Sequence, residues 1–424
     1  MGPAQASGFW AAIRGNPRRT FFVCLGAYGL SQAELALFAY AVPSMRQEFG
    51  YSLQQMAAII GAAYVIGGVL QIWFGHLTDR YGRKAMLQVS LAAASLFVAA
   101  HALANGALAL TLLRAGAIFS GGALYPATGA IVTEVAPARF RGVMAGLLQT
   151  AYPLGWFVAA LVAAPFLATY GWRALFLVSL LSLPYLFVVR RLLHESARFA
   201  AVKTATRQRR LSESIGELFR PQMRRRTLIL LLAQFLFVVA YGGSSVFFPT
   251  YLVESRGLPI GSSTLLVGVG NAVAVLGYVA AAVVGEFYLS RRTTVVVWTL
   301  LGTAALLFLV WGTAGYWQTL VGFSVMSMFF YGTAAVKFAF VAELFPTPLR
   351  ATGLAVCASL PVNLGIAVGP SLIAFCVGRI GWDLTLSLVA GIPLAAAGLL
   401  YLLLKPMPSG IDLEELQGRL AASD

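Results

Sequence analysis

One spacing of charged residues and proline occurs twice in this chain and limits the folds open to it. The pattern E-x-x-P-x-x-x-R is found at residues 134–141 and again, 209 positions later, at residues 343–350. Residues 171–173 (GWR) and 381–383 (GWD) repeat the correspondence at an offset of 210. Each copy of the first pattern separates two long apolar segments. Two halves that echo each other, each made mostly of membrane-length apolar runs, predict a transporter built from two related bundles.

The composition indicates that lipid surrounds most of the chain. Hydrophobic residues make up 59% of the 424 residues and charged residues 11%, whereas soluble domains usually carry about 25% charged residues. A soluble globule of this length has too little interior to bury so much apolar surface. We therefore expect an all-α membrane protein with twelve transmembrane helices in two pseudo-symmetric six-helix bundles.

Twelve apolar runs have the length of about 20 residues that a bilayer core requires. They lie at about 20–45, 53–75, 84–104, 108–131, 142–166, 172–192, 227–251, 262–286, 293–313, 317–341, 351–377 and 383–404. The first six form a predicted N-terminal bundle within 1–192, and the last six a C-terminal bundle, 227–404. A basic cytoplasmic linker, 193–226, joins them, and a cytoplasmic tail, 405–424, ends the chain. Apolar residues at helical spacing in the linker predict a helix lying on the membrane surface, with binding of a partner as the alternative.

The distribution of positive charge predicts the orientation in the membrane. The net charge is +15, and of the 30 Lys and Arg residues about 24 fall in alternate connections on one side, about 4 on the other and 2 within spans. This asymmetry predicts a multi-pass protein of the plasma membrane, the inner membrane of a bacterium, with both termini cytoplasmic. We expect the basic surface to contact anionic lipid headgroups rather than nucleic acid. The three cysteines lie in apolar runs, which predicts neither a disulfide framework nor a metal site. We also expect a monomer without a cofactor.

The connection after the second span carries a motif of glycines and charges. It reads Gly75-His-Leu-Thr-Asp79-Arg80-Tyr-Gly82-Arg83-Lys84. The pattern G-x-x-x-D-R-x-G-R-[KR] is the hallmark of the major facilitator superfamily, which the chain resembles at every defining position and, in its layout of six plus six spans, over nearly its whole length. The resemblance implies alternating access between two bundles and a gating role for these residues. The alternative is that the charges only anchor a loop at the headgroup level.

The repeated E-x-x-P-x-x-x-R pattern supplies four further gating candidates. In each copy the glutamate ends a helix, the proline blocks its continuation and the arginine opens the next helix. Glu134, Arg141, Glu343 and Arg350 are expected either to pair between the bundles or to pair within their own loops. The copy of the glycine motif in the second half, 285–292, lacks its Asp and its Gly-Arg pair, which predicts asymmetric gating.

Three further segments narrow the resemblance to particular branches. The stretch 194–199, HESARF, resembles the P-E-S-P-R-W sequence of sugar-porter-like and metabolite:proton symporter branches, and 248–252, FPTYL, is similar to them too. In the fifth span, 151–155 reads AYPLG where drug:proton antiporters usually carry G-x-x-x-G-P-x-x-G-G. The resemblance therefore favours uptake by symport over drug efflux.

Glu34 is the candidate for proton coupling. It lies midway along the first span, where a buried charge is costly unless it faces water or a partner. Aromatic-acid:proton symporters carry D-G-x-D in this region, and alignment on Pro43 puts Glu34 in place of the second Asp and Ser31 in place of the first. Burial disfavours the ionised carboxyl, which suits a proton carrier. The alternative is a glutamate that only hydrogen-bonds a neighbouring helix.

Arg114 and Lys337 are the candidates for binding a negative substrate. Arg114 lies about two turns inside the fourth span, and Lys337 is the repeat-equivalent of Thr128 in the tenth. Cations that line a cavity favour an anion, because an unpaired buried cation is costly, and arginine suits bidentate binding of a carboxylate. The competing interpretation is that Glu34 neutralises one cation and the other reaches the cytoplasmic surface.

Polar and aromatic residues within the spans are further candidates for lining the site. We expect the following to line the site or to bond between helices: Tyr125, Gln149, Tyr152, Gln234, Tyr241, Asn271, Tyr331 and Asn363. No nucleotide loop, nucleophile–base set or metal cluster is visible in the sequence, so an enzyme is not expected. The sequence favours proton-coupled symport of a small organic anion: a carboxylate, sugar acid or aromatic acid. The alternatives are a drug or metabolite antiporter and a porter of neutral solutes such as sugars.

Overall fold

The computed structural model describes residues 9–122, 124–137, 140–193, 211–345, 349, 353, 356–357 and 360–404. Side chains are described for these residues except 72–80, 125–126, 141–142, 211–214, 338–339 and 342–343. This part of the chain is helical and contains no strand. Short helices at Phe9–Ala12 and Leu211–Leu218 precede the two halves.

Six spans form the first half. They are α1 (Asn16–Phe49), α2 (Leu53–Tyr81), α3 (Arg83–Ala100), α4 (Ala107–Gly121 and Leu124–Val135), α5 (Arg141–Leu148 and Ala151–Thr169) and α6 (Gly171–Leu177 and Tyr185–Leu192). The second half has α7 (Pro221–Glu254), α8 (Ile260–Phe287), α9 (Arg291–Trp311), α10 (Gly315–Glu343), α11 (360–380) and α12 (381–403). The last two spans lie in one uninterrupted helical stretch that kinks at Gly381.

The expectation of twelve membrane-spanning helices in two bundles is confirmed. Ten stretches of the described residues are long and apolar enough to cross a membrane. One of them, Leu360–Leu403, contains both α11 and α12. The twelfth span is α4, which includes the shorter apolar helix Ala107–Gly121. The bends at Gly171 and Gly381 both need a positive φ, 77° and 76°, which glycine adopts at little cost.

The two ends of the bundles differ in how their cores are arranged. We call the end where α1 passes to α2 the Arg46 end, and the end where α2 passes to α3 the Arg83 end. Toward the Arg46 end, one apolar core draws on both bundles, with Met56 and Ala160 from one and Leu266 and Ile373 from the other. Toward the Arg83 end the apolar core is split, one cluster in each bundle. The bundles are therefore packed into a single body at the Arg46 end.

Direct contacts between the bundles follow the same division. The Gln54 side chain of α2 donates a hydrogen bond to the Ala374 carbonyl of α11 at 2.9 Å. On the opposite flank, Gly268 of α8 allows close approach to Ala160 of α5. At the mouth, Arg46 at the end of α1 pairs with Glu254 at the end of α7.

Candidate substrate and proton site

Glu34 lies inside the N-terminal bundle. Its side chain is 3% exposed, and the Ser95 hydroxyl of α3 donates to Oε1 at 2.5 Å. Ser182, between the two helices of α6, lies beside the same carboxyl. Among the described residues Oε2 has no hydrogen-bond partner, and the carboxyl forms no ion pair. The acid therefore faces α3 and α6 and has one oxygen without a partner.

Arg114 of α4 contacts α1 at Leu35, the residue that follows Glu34, and at Phe38. It is 5% exposed, and Nη2 donates to the Leu35 carbonyl at 3.3 Å. The guanidinium carbon lies 4.4 Å from the centre of the Phe38 ring. Nε and Nη1 have no hydrogen-bond partner of acceptable geometry among the described residues. Arginine carries five donors in a rigid fork, so this fork keeps donors that an anion can bind.

Tyrosines from both bundles meet beside Arg114. Tyr64 of α2 and Tyr152 of α5 lie close to the guanidinium. The Tyr152 ring is 6.0 Å from that of Tyr241 in α7, and Tyr241 is 5.4 Å from Tyr331 in α10. Both contacts are edge-to-face, an arrangement that aromatic rings prefer. The structure thus brings Tyr152, Tyr241 and Tyr331 together across the bundle interface.

Lys337 lies in α10 among rings. It is 7% exposed, and its ammonium sits 3.1 Å from the centre of the Phe237 ring. Within the described part of the chain the ammonium forms no hydrogen bond or ion pair. Phe237 contacts Phe330 at 5.5 Å, and Phe330 contacts Tyr241 at 6.2 Å. A continuous run of rings therefore connects Lys337 with the tyrosines near Arg114.

The remaining lining candidates are dispersed. The Asn271 amide donates to the Val267 carbonyl of its own helix at 2.8 Å. Asn363 of α11 donates to Gln71 of α2 at 3.4 Å, a contact between the bundles. Gln149 and Gln234 are at least half-buried in α5 and α7. The side chain of Tyr125 lies outside the described residues.

The gating candidates fall into two groups. Gly82 has a φ of 99° at the turn into α3, and Arg83 pairs with Glu134 of α4 within the N-terminal bundle. Lys84 donates to the Arg190 carbonyl of α6 at 2.9 Å. The side chains of Gly75, Asp79, Arg80, Arg141, Glu343 and Arg350 lie outside the described residues. The described pair of Glu134 is thus with the glycine motif in its own bundle.

A set of ion pairs at the Arg46 end was missed by the sequence analysis. Glu48 accepts from Trp172 at 2.6 Å and pairs with Arg173. In the other half, Arg256 lies 3.9 Å from Asp383. The sequence signal for these pairs was the repeated Gly-Trp at 171 and 381, which marks equivalent corners but gives no partner. The pair between Arg46 and Glu254 joins residues 208 positions apart, which no local pattern indicates.

Twelve helices in two bundles, with charged and aromatic side chains buried where the bundles meet, define a multi-pass membrane transporter with two pseudo-symmetric halves. The family model described as Major Facilitator Superfamily matches residues 24–287. The chain belongs to this superfamily, and its resemblance to the family in sequence is confirmed.

Individual relatives are distant but align over most of their length. The chain is 28% identical to the cis,cis-muconate transport protein of Acinetobacter baylyi over 364 residues, 82% of this chain and 85% of the relative. It is 26% identical to the gallate transporter of Pseudomonas putida, over 87% of each chain. Among solved structures, the D-xylose-proton symporter superposes with a TM-score of 0.71 at 16% identity, covering 93% of this chain and 99% of that one. That structural likeness supports the fold.

Proposed function

We propose that the protein is a secondary transporter that carries a small organic acid together with a proton. The observation that carries the proposal is Arg114: a guanidinium in the protein interior with two nitrogens that lack a hydrogen-bond partner among the described residues, close to Tyr64 and to Tyr152, whose ring contacts Tyr241 of the other bundle. A buried cation without a counter-ion is costly, and a carboxylate removes that cost. The names of the muconate and gallate relatives support an acid as the substrate.

Glu34 supplies the proton site in this proposal. Its carboxyl is buried, has one unpartnered oxygen and touches only serine hydroxyls among the polar groups described around it. Such surroundings stabilise a neutral carboxyl more than a charged one. Proton binding at Glu34 and anion binding at Arg114 then neutralise two separate buried charges.

The two sites are coupled through one turn of α1. Arg114 holds the carbonyl of Leu35, the residue that follows Glu34. A change in the charge of Glu34, or an anion that draws Arg114 away from this carbonyl, therefore acts on the same segment of helix. With both charges neutralised, the bundles rock about the site and expose it to the other side of the membrane.

The side of the membrane to which the site is closed follows from the shared apolar core at the Arg46 end and from the predicted orientation. If the Arg83 end is cytoplasmic, as the distribution of positive charge predicts, the conformation described here is closed toward the outside of a bacterial inner membrane. Opening to the outside then requires the shared core and the pair between Arg46 and Glu254 to separate. Asp79, Arg80 and the E-x-x-P-x-x-x-R residues are proposed to reform the closure at the Arg83 end.

The main rivals are an efflux antiporter and a porter of neutral solutes. A sugar porter has no need of an unpaired guanidinium in its interior, whereas a carboxylate does pair with it. An antiporter is compatible with the same binding site and differs in the sign of its proton dependence: uptake by symport rises when the outside is acidified, and uptake by an antiporter falls.

Transport in proteoliposomes tests the proposal. Uptake of benzoate, gallate and cis,cis-muconate is measured with and without an inwardly directed proton gradient, and xylose serves as the neutral comparison. Arg114→Gln should reduce acid uptake by about 30-fold or more, since removing one partner of a buried charge pair costs about 2–5 kcal/mol. Arg379→Gln changes an exposed arginine that bonds only its own helix, and it should leave uptake unchanged.

Two results would contradict the proposal. Transport of xylose alone removes the acid as substrate. Acid uptake that is equal in the Arg114→Gln and Arg379→Gln variants removes Arg114 as the binding residue. Arg114→Lys and the thermal stability of each variant separate loss of binding from loss of folding.

A further inference from the structure

We propose that Lys337 forms a second anion subsite, and that the substrate is a flat acid with two acidic groups, one held by Arg114 and the other by Lys337. This inference rests on the proposed function and narrows its substrate class to dicarboxylates with a rigid conjugated or aromatic body. It follows from the environment of Lys337, its position relative to Arg114, and the side chains between them.

Lys337 is kept in the protein interior without an acid to balance it. The residue is 7% exposed, and its ammonium rests on the face of Phe237. A cation over a phenylalanine ring is stabilised by up to about 2 kcal/mol when desolvated, well below the cost of burying an unpaired ammonium. The ring therefore accommodates the charge only in part, and an anion that displaces it gains a full ion pair.

The repeat fixes where Lys337 acts along the axis of the protein. α1 and α7 are both 34 residues long, and each has one internal proline, Pro43 and Pro249. These prolines are 206 positions apart (249 − 43 = 206). On this correspondence Phe237 of α7 matches Ser31 of α1. The depth of the Lys337 ammonium is therefore that of Ser31 in the other half.

Arg114 acts closer to the Arg46 end. Its guanidinium contacts Leu35 and Phe38 of α1, four and seven residues beyond Ser31. At about 1.5 Å of rise per residue, the two cationic sites differ in depth by roughly 6–10 Å. One carboxylate, whose two oxygens share a single carbon, cannot pair with both. Two carboxylates at opposite ends of a six-carbon chain or a benzene ring suit such a separation.

A series of ring contacts runs from the side of Arg114 to Lys337. Tyr152 lies near Arg114, Phe237 lies under Lys337, and the rings of Tyr241 and Phe330 connect them at 5.5–6.2 Å between neighbouring centres. Flat conjugated bodies stack favourably on such rings, whereas a hydrated sugar loses hydrogen bonds there. Both ends of a conjugated diacid thus meet a cation and its middle meets aromatic carbon.

A monoacid leaves the arrangement incomplete. It neutralises Arg114, and Lys337 then remains on Phe237. A diacid neutralises both cations, so only a diacid should depend on Lys337. Two pairs of acids with matched bodies isolate this difference: sorbate with muconate, both hexadienes, and benzoate with terephthalate.

The affinity of each acid is measured by titration calorimetry on the purified full chain at pH 7. Wild-type protein should bind muconate and terephthalate about tenfold or more tightly than their monoacid partners. Lys337→Gln should remove this preference by weakening only the diacids, whereas the monoacids change by less than about twofold. Lys337→Arg keeps the charge and should retain the preference, and Arg114→Gln should weaken all four acids.

The outcomes separate this inference from the function on which it rests. Equal affinity of diacids and monoacids for the wild-type protein overturns the second subsite and leaves acid transport intact. So does a Lys337→Gln variant that weakens both members of a pair equally, or neither. Failure of all four acids to bind the wild-type protein overturns the proposed function together with the subsite.

Discussion

The corners of the two halves at the Arg46 end use the same frame with opposite charges. In the N-terminal half, Glu48 ends α1 and Arg173 begins α6, and Arg173 donates to the carbonyl of Ala104 at 3.3 Å. An arginine at the start of the sixth helix thus donates to a carbonyl just after the third helix of the same half.

In the C-terminal half the signs are exchanged. Arg256 follows α7, Asp383 begins α12, and Arg256 donates to the carbonyl of Thr313 at 2.9 Å. Ala104 and Thr313 are 209 positions apart, the offset of the repeat. The equivalent carbonyl therefore accepts a hydrogen bond from an arginine in both halves, although the arginine comes from a different helix in each. The repeat preserves the interaction rather than the residue.

The interior of the two halves shows a deeper difference. The N-terminal half contains Glu34 in α1 and, bonded to the next residue of α1, Arg114 of α4; the C-terminal half contains Lys337 on a phenylalanine ring. The residue that corresponds to Arg114 at the 209 offset is Phe323, which packs against Phe248 at 4.9 Å between ring centres. The frame is symmetric and the buried charges of the described residues are not, so the proposed proton site has no counterpart at the equivalent position of the C-terminal half.

The largest effect is expected from Glu34→Gln. This variant keeps the shape of the side chain and cannot release a proton, so accumulation driven by a proton gradient should fall to the level without a gradient. Exchange of acid across the membrane needs no net proton movement and should persist. Both are measured with benzoate in proteoliposomes. Glu217→Gln, in the short helix before α7, is the matched control.

Gradient-driven accumulation that survives in Glu34→Gln would place the coupling elsewhere and break the contrast between the halves. Loss of exchange as well as accumulation would point to a damaged site, and the binding of benzoate to the variant distinguishes this case.

An intermediate effect is expected at the two corners. Arg256 is 18% exposed and binds the Tyr251 hydroxyl and three carbonyls near the end of α9, which include those of Thr313 and Leu309. Arg256→Gln should destabilise the protein by about 2–4 kcal/mol, because these charged hydrogen bonds are largely shielded from water. Arg173 is 42% exposed, and Arg173→Gln should cost at most about 1 kcal/mol. Thermal unfolding in detergent measures which of the two variants loses more stability.

Exchanging the charges sharpens the same contrast. The double variant Glu48→Arg, Arg173→Glu should recover most of the stability of the wild type, since that pair is largely exposed. Arg256→Asp, Asp383→Arg should recover less of it, because an arginine at 383 replaces only the contact with the Thr313 carbonyl, as Arg173 contacts that of Ala104, and the carbonyls of Leu309 and Val310 lose their arginine. Equal recovery at both corners would show that the ion pair, and not the carbonyl contacts, determines stability.

The sequence predicted the architecture more completely than the site. Apolar runs of membrane length identify spans without knowledge of their neighbours, and a charge such as Glu34 or Arg114 stands out within them. The direction of each side chain was not predictable, since lipid-facing and buried faces of a membrane helix are both apolar. The sequence therefore left open which groups Glu34 faces. The structure places its carboxyl against Ser95, in the interior of one bundle.

The smallest effect is expected where the halves meet, at the pair between Arg46 and Glu254. Their side chains are 18% and 38% exposed, and a pair of this kind contributes about 1 kcal/mol or less. Arg46→Gln should therefore shift the balance between closed and open forms by no more than about fivefold. Spin labels at exposed Asn105→Cys and Ser255→Cys report the distance between the bundles. Arg46→Glu with Glu254→Arg should restore the wild-type distribution, whereas either single reversal should widen it. A distribution that is identical in all four proteins would show that the shared apolar core closes this end by itself.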